Sequence, residues 1–186
     1  MKKVLCYCEF NSRTGFGHFS RIKILLEILK LKKVDILTEN YSAALKFFRH
    51  QNVIKCKNIF IYLRKNFLKY KLLIIDPPYY PNQKKQQIKF SKKFKSIYKL
   101  ENKNFKVIWL TDEEKPSDKF CDLLINDYPN AYKFKNFYRK KNNKIKMVLG
   151  IYAFLFSREI FKPRHRFKRK HILISFHLNN TYSFHI

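Results

Sequence analysis

A run of four aliphatic residues ending in an acid, Leu-Leu-Ile-Ile-Asp at 72–76, limits the possible folds more than any other feature. An uninterrupted apolar run of this kind is typical of a parallel strand that is covered on both faces. Shorter apolar or β-prone runs predict further strands at 3–10, 34–37, 59–63, 105–110 and 122–125.

Helical patterns separate these runs. Between residues 18 and 31, apolar side chains recur every three or four positions, which predicts an amphipathic helix. Residues 41–50 and 84–103 have similar patterns. Strands that alternate with helices imply right-handed crossovers. We therefore predict an α/β fold with a Rossmann-like, mostly parallel, doubly wound sheet.

The last third of the chain is less regular. Residues 132–146 are polar and basic and predict an irregular or helical surface segment, and 147–156 predict one or two strands. A buried-strand pattern at 171–176 follows a basic connector, and we expect no folded continuation after it. We therefore expect two domains: a Rossmann-like domain at 1–160, then 161–186 as a connector and the first strand of a truncated second domain.

Composition restricts the partners. The net charge is +28, yet 46% of the residues are hydrophobic, which is too many for a disordered tail. Lysines are scattered along the chain and outnumber arginines, which argues against nucleic acid as the main partner. Without a membrane-spanning run or a signal peptide, we expect a cytoplasmic protein that does not bind membranes. The four cysteines form no C-x-x-C pair and are expected to be buried free thiols.

Two of the three glycines, Gly15 and Gly17, lie in the first strand-to-helix turn, where open α/β sheets bind ligands. His18 follows in the first helical turn, where nearby positive charge is expected to lower its pKa and favour the neutral base. Arg21 either holds an anionic or sugar substituent or braces the loop through an ion pair. Ser20 replaces the third glycine of a dinucleotide fingerprint, and a purely structural turn with a capping histidine is the alternative.

Residues 15–21, Gly-Phe-Gly-His-x-x-Arg, resemble the start of the UDP-2,4-diacetamido-2,4,6-trideoxy-β-L-altropyranose hydrolase family of pseudaminic acid biosynthesis. Stretches at 72–76, 111–126 and 149–161 agree in order and spacing, so the resemblance covers residues 3–176. This family and its spore-coat polysaccharide relatives share the two-domain glycosyltransferase-B architecture. The resemblance therefore implies that the chain is the N-terminal half of such a protein.

The resemblance also implies a reaction: hydrolysis of a UDP-sugar at the anomeric carbon, without metal or cofactor, to UDP and free sugar. His18 matches the family's general base for the attacking water. Gly15 and Gly17 would line the sugar site. Asp76 matches an acid that orients sugar hydroxyls, although it could equally cap the next turn. Pro78 stands where the family has its tyrosine, so Tyr79 is a candidate aromatic contact, with Tyr80 directly after it as the alternative.

The family's second domain carries most of its UDP contacts, and its glycine pair has no counterpart after residue 176. We therefore expect weak UDP binding and little turnover from this chain, or a missing domain that is supplied separately. Two alternatives remain open. One is a glycosyltransferase of similar architecture, in which His18 deprotonates an acceptor hydroxyl. The other is a basic, non-catalytic binding module or a degenerate fragment.

Overall fold

A computed structural model describes residues 3–9, 16–77, 84–100, 105–112, 120–141, 144–150, 171–177 and 180–185. The chain divides into two compact units, Met1–Leu155 and Phe156–Ile186. The domain boundary that the sequence predicts at residue 160 lies outside the described residues. Among the helices that the structure describes, none is long and apolar enough to cross a membrane.

The first unit is built on a seven-stranded, all-parallel sheet, which confirms the predicted Rossmann-like fold. The strand order is β3-β2-β1-β4-β5-β6-β7. In chain order the strands are β1 Lys3–Cys8, β2 Asp35–Thr38, β3 Asn52–Lys55, β4 Tyr70–Asp76, β5 Lys106–Thr111, β6 Leu123–Asn126 and β7 Lys146–Leu149. The order reverses between β1 and β4, and this switch point is where sheets of this kind bind ligands.

Helices cover both faces of the sheet. They are α1 Gly17–Ile28, α2 Tyr41–Phe47, α3 Ile59–Asn66, α4 Lys84–Leu100 and α5 Lys135–Lys141. Val4 and Cys6 of β1 pack with Phe19 of α1 in one core cluster, whereas Leu5 belongs to the opposite cluster with Phe94 of α4. Successive residues of a strand face opposite sides of the sheet. Because both sides are buried, every position of such a strand is apolar, and this explains the apolar runs in the sequence.

The strand expected at 59–63 is wrong, because these residues form α3. Ile59 and Leu63 are buried, four positions apart, whereas Ile61 is 54% exposed. A strand would place all three on one face, but a helix places only the first and the last together. Asn58 caps α3 by accepting hydrogen bonds from the backbone N–H groups of residues 60 and 61. The third strand lies earlier, at β3, where the sequence analysis predicted none.

The segment predicted as irregular or helical at 132–146 contains a 3-10 turn, Ala131–Phe134, and then α5. This segment does not lie entirely at the surface. The Tyr138 side chain is fully buried, and its hydroxyl accepts a hydrogen bond from Asn126 at 3.0 Å. Of the strands expected at 147–156, the structure describes β7, and residues 151–156 lie outside the described part. All four cysteines are free thiols; Cys6, Cys8 and Cys121 are buried and Cys56 is half-buried.

The second unit contains the predicted strand, now β8 His171–His177, and a further strand, β9 Asn180–His185. The two pair antiparallel, so the expectation that nothing folds beyond residue 176 is wrong. The β-prone residues Thr181, Tyr182 and Phe184 follow turn-forming asparagines, which is a sequence signal for a hairpin.

Candidate functional site

The site lies at the carboxyl edge of the sheet, at the switch point between β1 and β4. The two strands are parallel neighbours, with Cys8 in register with Asp76, the last residue of β4. Since α1 begins at Gly17, its first turns place His18 and Arg21 beside that strand end. The fold thus brings together three of the predicted site residues: His18 and Arg21 from one helical turn, and Asp76, which lies 55 positions after Arg21 in the chain.

His18 and Asp76 form a buried pair. The His18 Nδ1 atom lies 2.9 Å from Asp76 Oδ1, and the residues are 5% and 0% exposed. A carboxylate at this distance favours the tautomer in which Nδ1 carries the proton and donates it in a hydrogen bond. The nitrogen left to exchange a proton with a ligand is then Nε2. This is the arrangement in which a carboxylate orients a histidine that acts as a base.

Arg21 is bound to Asp76 through two parallel hydrogen bonds. Its Nε donates to Oδ2 at 3.1 Å and its Nη2 donates to Oδ1 at 2.8 Å. Arg21 Nη2 also lies 3.1 Å from His18 Nδ1. With Nδ1 protonated, both nitrogens donate to the same oxygen, Asp76 Oδ1. Of the two roles predicted for Arg21, these contacts favour the internal ion pair.

Two further carboxylates approach Arg21 from the next strand ends. Asp112 follows β5, and its Oδ2 lies 3.3 Å from Arg21 Nη1. Asp127 follows β6, and its Oδ1 lies 3.6 Å from the same nitrogen. The sequence analysis assigned neither residue to the site. A signal was present, because an acid stands at the end of one predicted strand and two positions after the end of each of the next two.

These carboxylates overturn the expectation that the pKa of His18 is lowered. Burial does lower it, but Asp76 and Asp112 raise it by more, so the pKa of His18 lies above its ordinary value. For Asp76, burial raises the pKa, but Arg21 and His18 together hold it below its ordinary value. The sequence analysis counted the positive charge near the start of α1, but not the acids that the fold brings beside His18.

Among the other predicted site residues, Gly15 and Tyr79 lie outside the described residues. Gly17 is the first residue of α1, and a Cβ atom there would have no neighbour within 4 Å among the described residues. Within the described part of the chain, the glycine with positive φ is Gly150, so Gly17 does not need a left-handed backbone. No described side chain or backbone atom crowds Gly17, which is compatible with the expectation that a ligand can approach its backbone.

The three carboxylates converge on the guanidinium of Arg21. The described residues contain no group of three or more His, Cys, Asp or Glu side chains suited to a metal. No protein-family model matches the chain, and no curated protein matches it. Fold and site together therefore define a Rossmann-like α/β protein with a His–Asp pair at the switch point of its sheet.

Proposed function

We propose that this chain carries the water-activating site of a hydrolase that releases UDP and free sugar from a UDP-linked diacetamido-trideoxy sugar, as in pseudaminic acid biosynthesis. The observation that supports it most is the His18–Asp76 pair at the switch point, with a 2.9 Å hydrogen bond. The motif resemblance supplies the substrate class, and the sheet topology agrees with the fold that the resemblance implies.

In this proposal His18 Nε2 takes a proton from a water molecule as the water oxygen bonds to the anomeric carbon. The bond between that carbon and the phosphate oxygen breaks, and UDP leaves with the electron pair. Asp76 stabilises the imidazolium that forms, because its carboxylate accepts the Nδ1 proton in a hydrogen bond. A positioned base of this kind contributes about 10²–10⁴ to the rate.

Arg21 has no role in binding the diphosphate in this proposal. Its positive charge already faces Asp76, Asp112 and Asp127, and an additional anion would be repelled by their carboxylates. The diphosphate is therefore held elsewhere. The resemblance assigns those contacts to the second domain of the family that the chain resembles.

The test is release of UDP and free sugar, measured by NMR, from the UDP-diacetamido sugar by this chain and by its fusion to a second domain from a hydrolase of the resembled family. We expect the fusion to be active and His18→Asn to reduce the rate at least a hundredfold. The matched control is His50→Asn, because His50 is exposed at the other end of α2 from the site. Equal rates for the fusion with and without His18→Asn would contradict the proposal.

The pH profile gives a second readout. The base must be neutral, so activity should rise as the pH passes through the raised pKa of His18. Asp76→Asn removes a charge that raises this pKa. The variant should therefore gain activity at lower pH than the unchanged protein and reach a lower maximal activity.

Transfer of the sugar to an added acceptor in place of water would instead identify a glycosyltransferase.

A further inference from the structure

The carboxylate of Asp76 is shared between Arg21 and His18. Its Oδ1 atom accepts hydrogen bonds from Arg21 Nη2 at 2.8 Å and from His18 Nδ1 at 2.9 Å, and its Oδ2 atom accepts from Arg21 Nε at 3.1 Å. Asp76 is fully buried, and a carboxylate in such a position stays ionised only if a positive charge faces it. Because Arg21 supplies that charge, His18 does not have to.

The charge of His18 determines whether this residue can act as a base. A neutral imidazole that donates its Nδ1 proton to Asp76 keeps a lone pair on Nε2, whereas an imidazolium carries a proton on both nitrogens. The second form cannot take a proton from water. Arg21 opposes that form directly as well, because its charged Nη2 lies 3.1 Å from His18 Nδ1.

The groups that face His18 from the other elements act in the opposite direction or carry no charge. Burial and Arg21 lower the pKa of His18, whereas Asp76 and Asp112 raise it by more. Asp112 also lies 3.3 Å from Arg21 Nη1 and so competes for the same positive charge. Cys8 of β1 stays an uncharged thiol, because burial raises its pKa well above the ordinary value. Arg21 therefore limits how strongly the carboxylates favour the imidazolium.

We propose that Arg21 is a positioning residue that keeps His18 uncharged, and its Nε2 atom available to take a proton, by balancing the negative charge of Asp76. This inference rests on the proposed function, which it deepens by assigning control of the base to the next turn of α1. Arg21 acts through its two neighbours and contacts no ligand in this role. A purely structural brace would make the same contacts, but its removal would leave the charge of His18 unchanged.

The test follows the ring nitrogen signals of His18 by NMR as the pH is raised, in the full chain labelled with ¹⁵N at histidine and without ligand. In Arg21→Gln, which keeps a hydrogen-bond donor but no charge, the midpoint of the His18 titration should rise by about one pH unit or more. Arg21→Lys keeps a positive charge and should titrate within about half a unit of the unchanged chain. His18→Asn identifies the signal, and the exposed His50 is the internal reference.

Two further variants keep the test decisive even if Arg21→Gln does not fold. Asp112→Asn removes a half-exposed carboxylate that raises the pKa of His18 and competes for Arg21, so its midpoint should lie at lower pH. The matched control, Arg64→Gln, removes an exposed arginine of α3 and should leave the midpoint unchanged. Burial raises the pKa of Asp127 to about 6, so the titrations are compared above that pH, where this carboxylate is ionised as well.

The pH dependence of UDP release by the fusion links the charge of His18 to catalysis. Below the midpoint, a rise of about one unit should lower the rate of Arg21→Gln about tenfold, and at high pH the rate should approach that of the unchanged fusion. Loss of a structural brace would instead lower the rate by the same factor at every pH.

The inference is wrong if the His18 midpoint stays the same or falls in Arg21→Gln, if Arg21→Lys raises it as well, or if Asp112→Asn leaves it unchanged. These outcomes are separate from a failure of the proposed function, because the NMR titration uses no substrate. Equal UDP release by the fusion with and without His18→Asn would overturn the hydrolase and leave the control of the His18 charge by Arg21 intact.

Discussion

Replacing Arg21 with methionine should destabilise the fold strongly, because it leaves Asp76 charged and fully buried. Two charge-assisted hydrogen bonds are lost, at 2.8 and 3.1 Å, and breaking a buried ion pair from one side costs about 3–5 kcal/mol. The contact with Asp112 adds little, since that carboxylate is half-exposed. His18 still donates to Asp76, so we expect the lower end of this range, about 3 kcal/mol.

The loss should depend on pH with a defined sign. The pKa of Asp76 is lowered in the folded chain, so its contribution to stability is present above its unfolded pKa and is lost as the pH falls through the folded pKa. Without Arg21, Asp76 is protonated more easily. The gap in free energy of unfolding between the unchanged chain and Arg21→Met should therefore be largest near neutral pH and shrink below about pH 4.

Urea unfolding can be followed by the fluorescence of Trp109, the single tryptophan, which is buried in β5. Arg64→Met is the matched control, because Arg64 is exposed on α3 and should change stability by less than about 0.5 kcal/mol. In an Asp76→Asn background the cost of Arg21→Met should fall sharply. A cost below about 1 kcal/mol at pH 7.5, or the same cost in both backgrounds, would refute the buried ion pair as the cause.

Other variants test single contacts. Gly150→Ala should cost about 1–2 kcal/mol in urea unfolding, because Gly150 has φ +71° and a Cβ atom would lie 3.0 Å from a backbone oxygen. Gly17→Ala should leave stability unchanged or raise it by up to about 1 kcal/mol, and a loss would show that the space beside Gly17 is filled. Burial raises the pKa of Glu9 from 4.5 to about 7, so the stability of the unchanged chain should decline as the pH rises through this range, by up to about 3 kcal/mol. Glu9→Gln should flatten that decline, and parallel pH profiles would show that Glu9 does not cause it.

The sequence alone determined the parallel sheet and the first helix. The strand at 72–76 and the helix that carries Phe19, Ile22 and Leu25 were predicted because burial on two faces or on one stripe leaves a periodic apolar pattern. Ile59–Leu63 was misread for the same reason, since a short apolar run fits both a strand and a helix. The helix forms there because Asn58 caps its first turn and because the core covers only the face that carries Ile59 and Leu63.

For the site, the sequence indicated the turn that carries His18 and the strand end at Asp76, because glycines, polar residues and strand ends mark the ligand edge of such a sheet. It did not show that Arg21 binds Asp76, that the pKa of His18 is raised, or that Asp112 and Asp127 join them. Those properties depend on distances of 2.8 to 3.6 Å between residues on α1, β4 and the ends of β5 and β6. Only the tertiary structure determines such distances, because electrostatic interactions depend on separation in space and on burial, and neither follows from order along the chain.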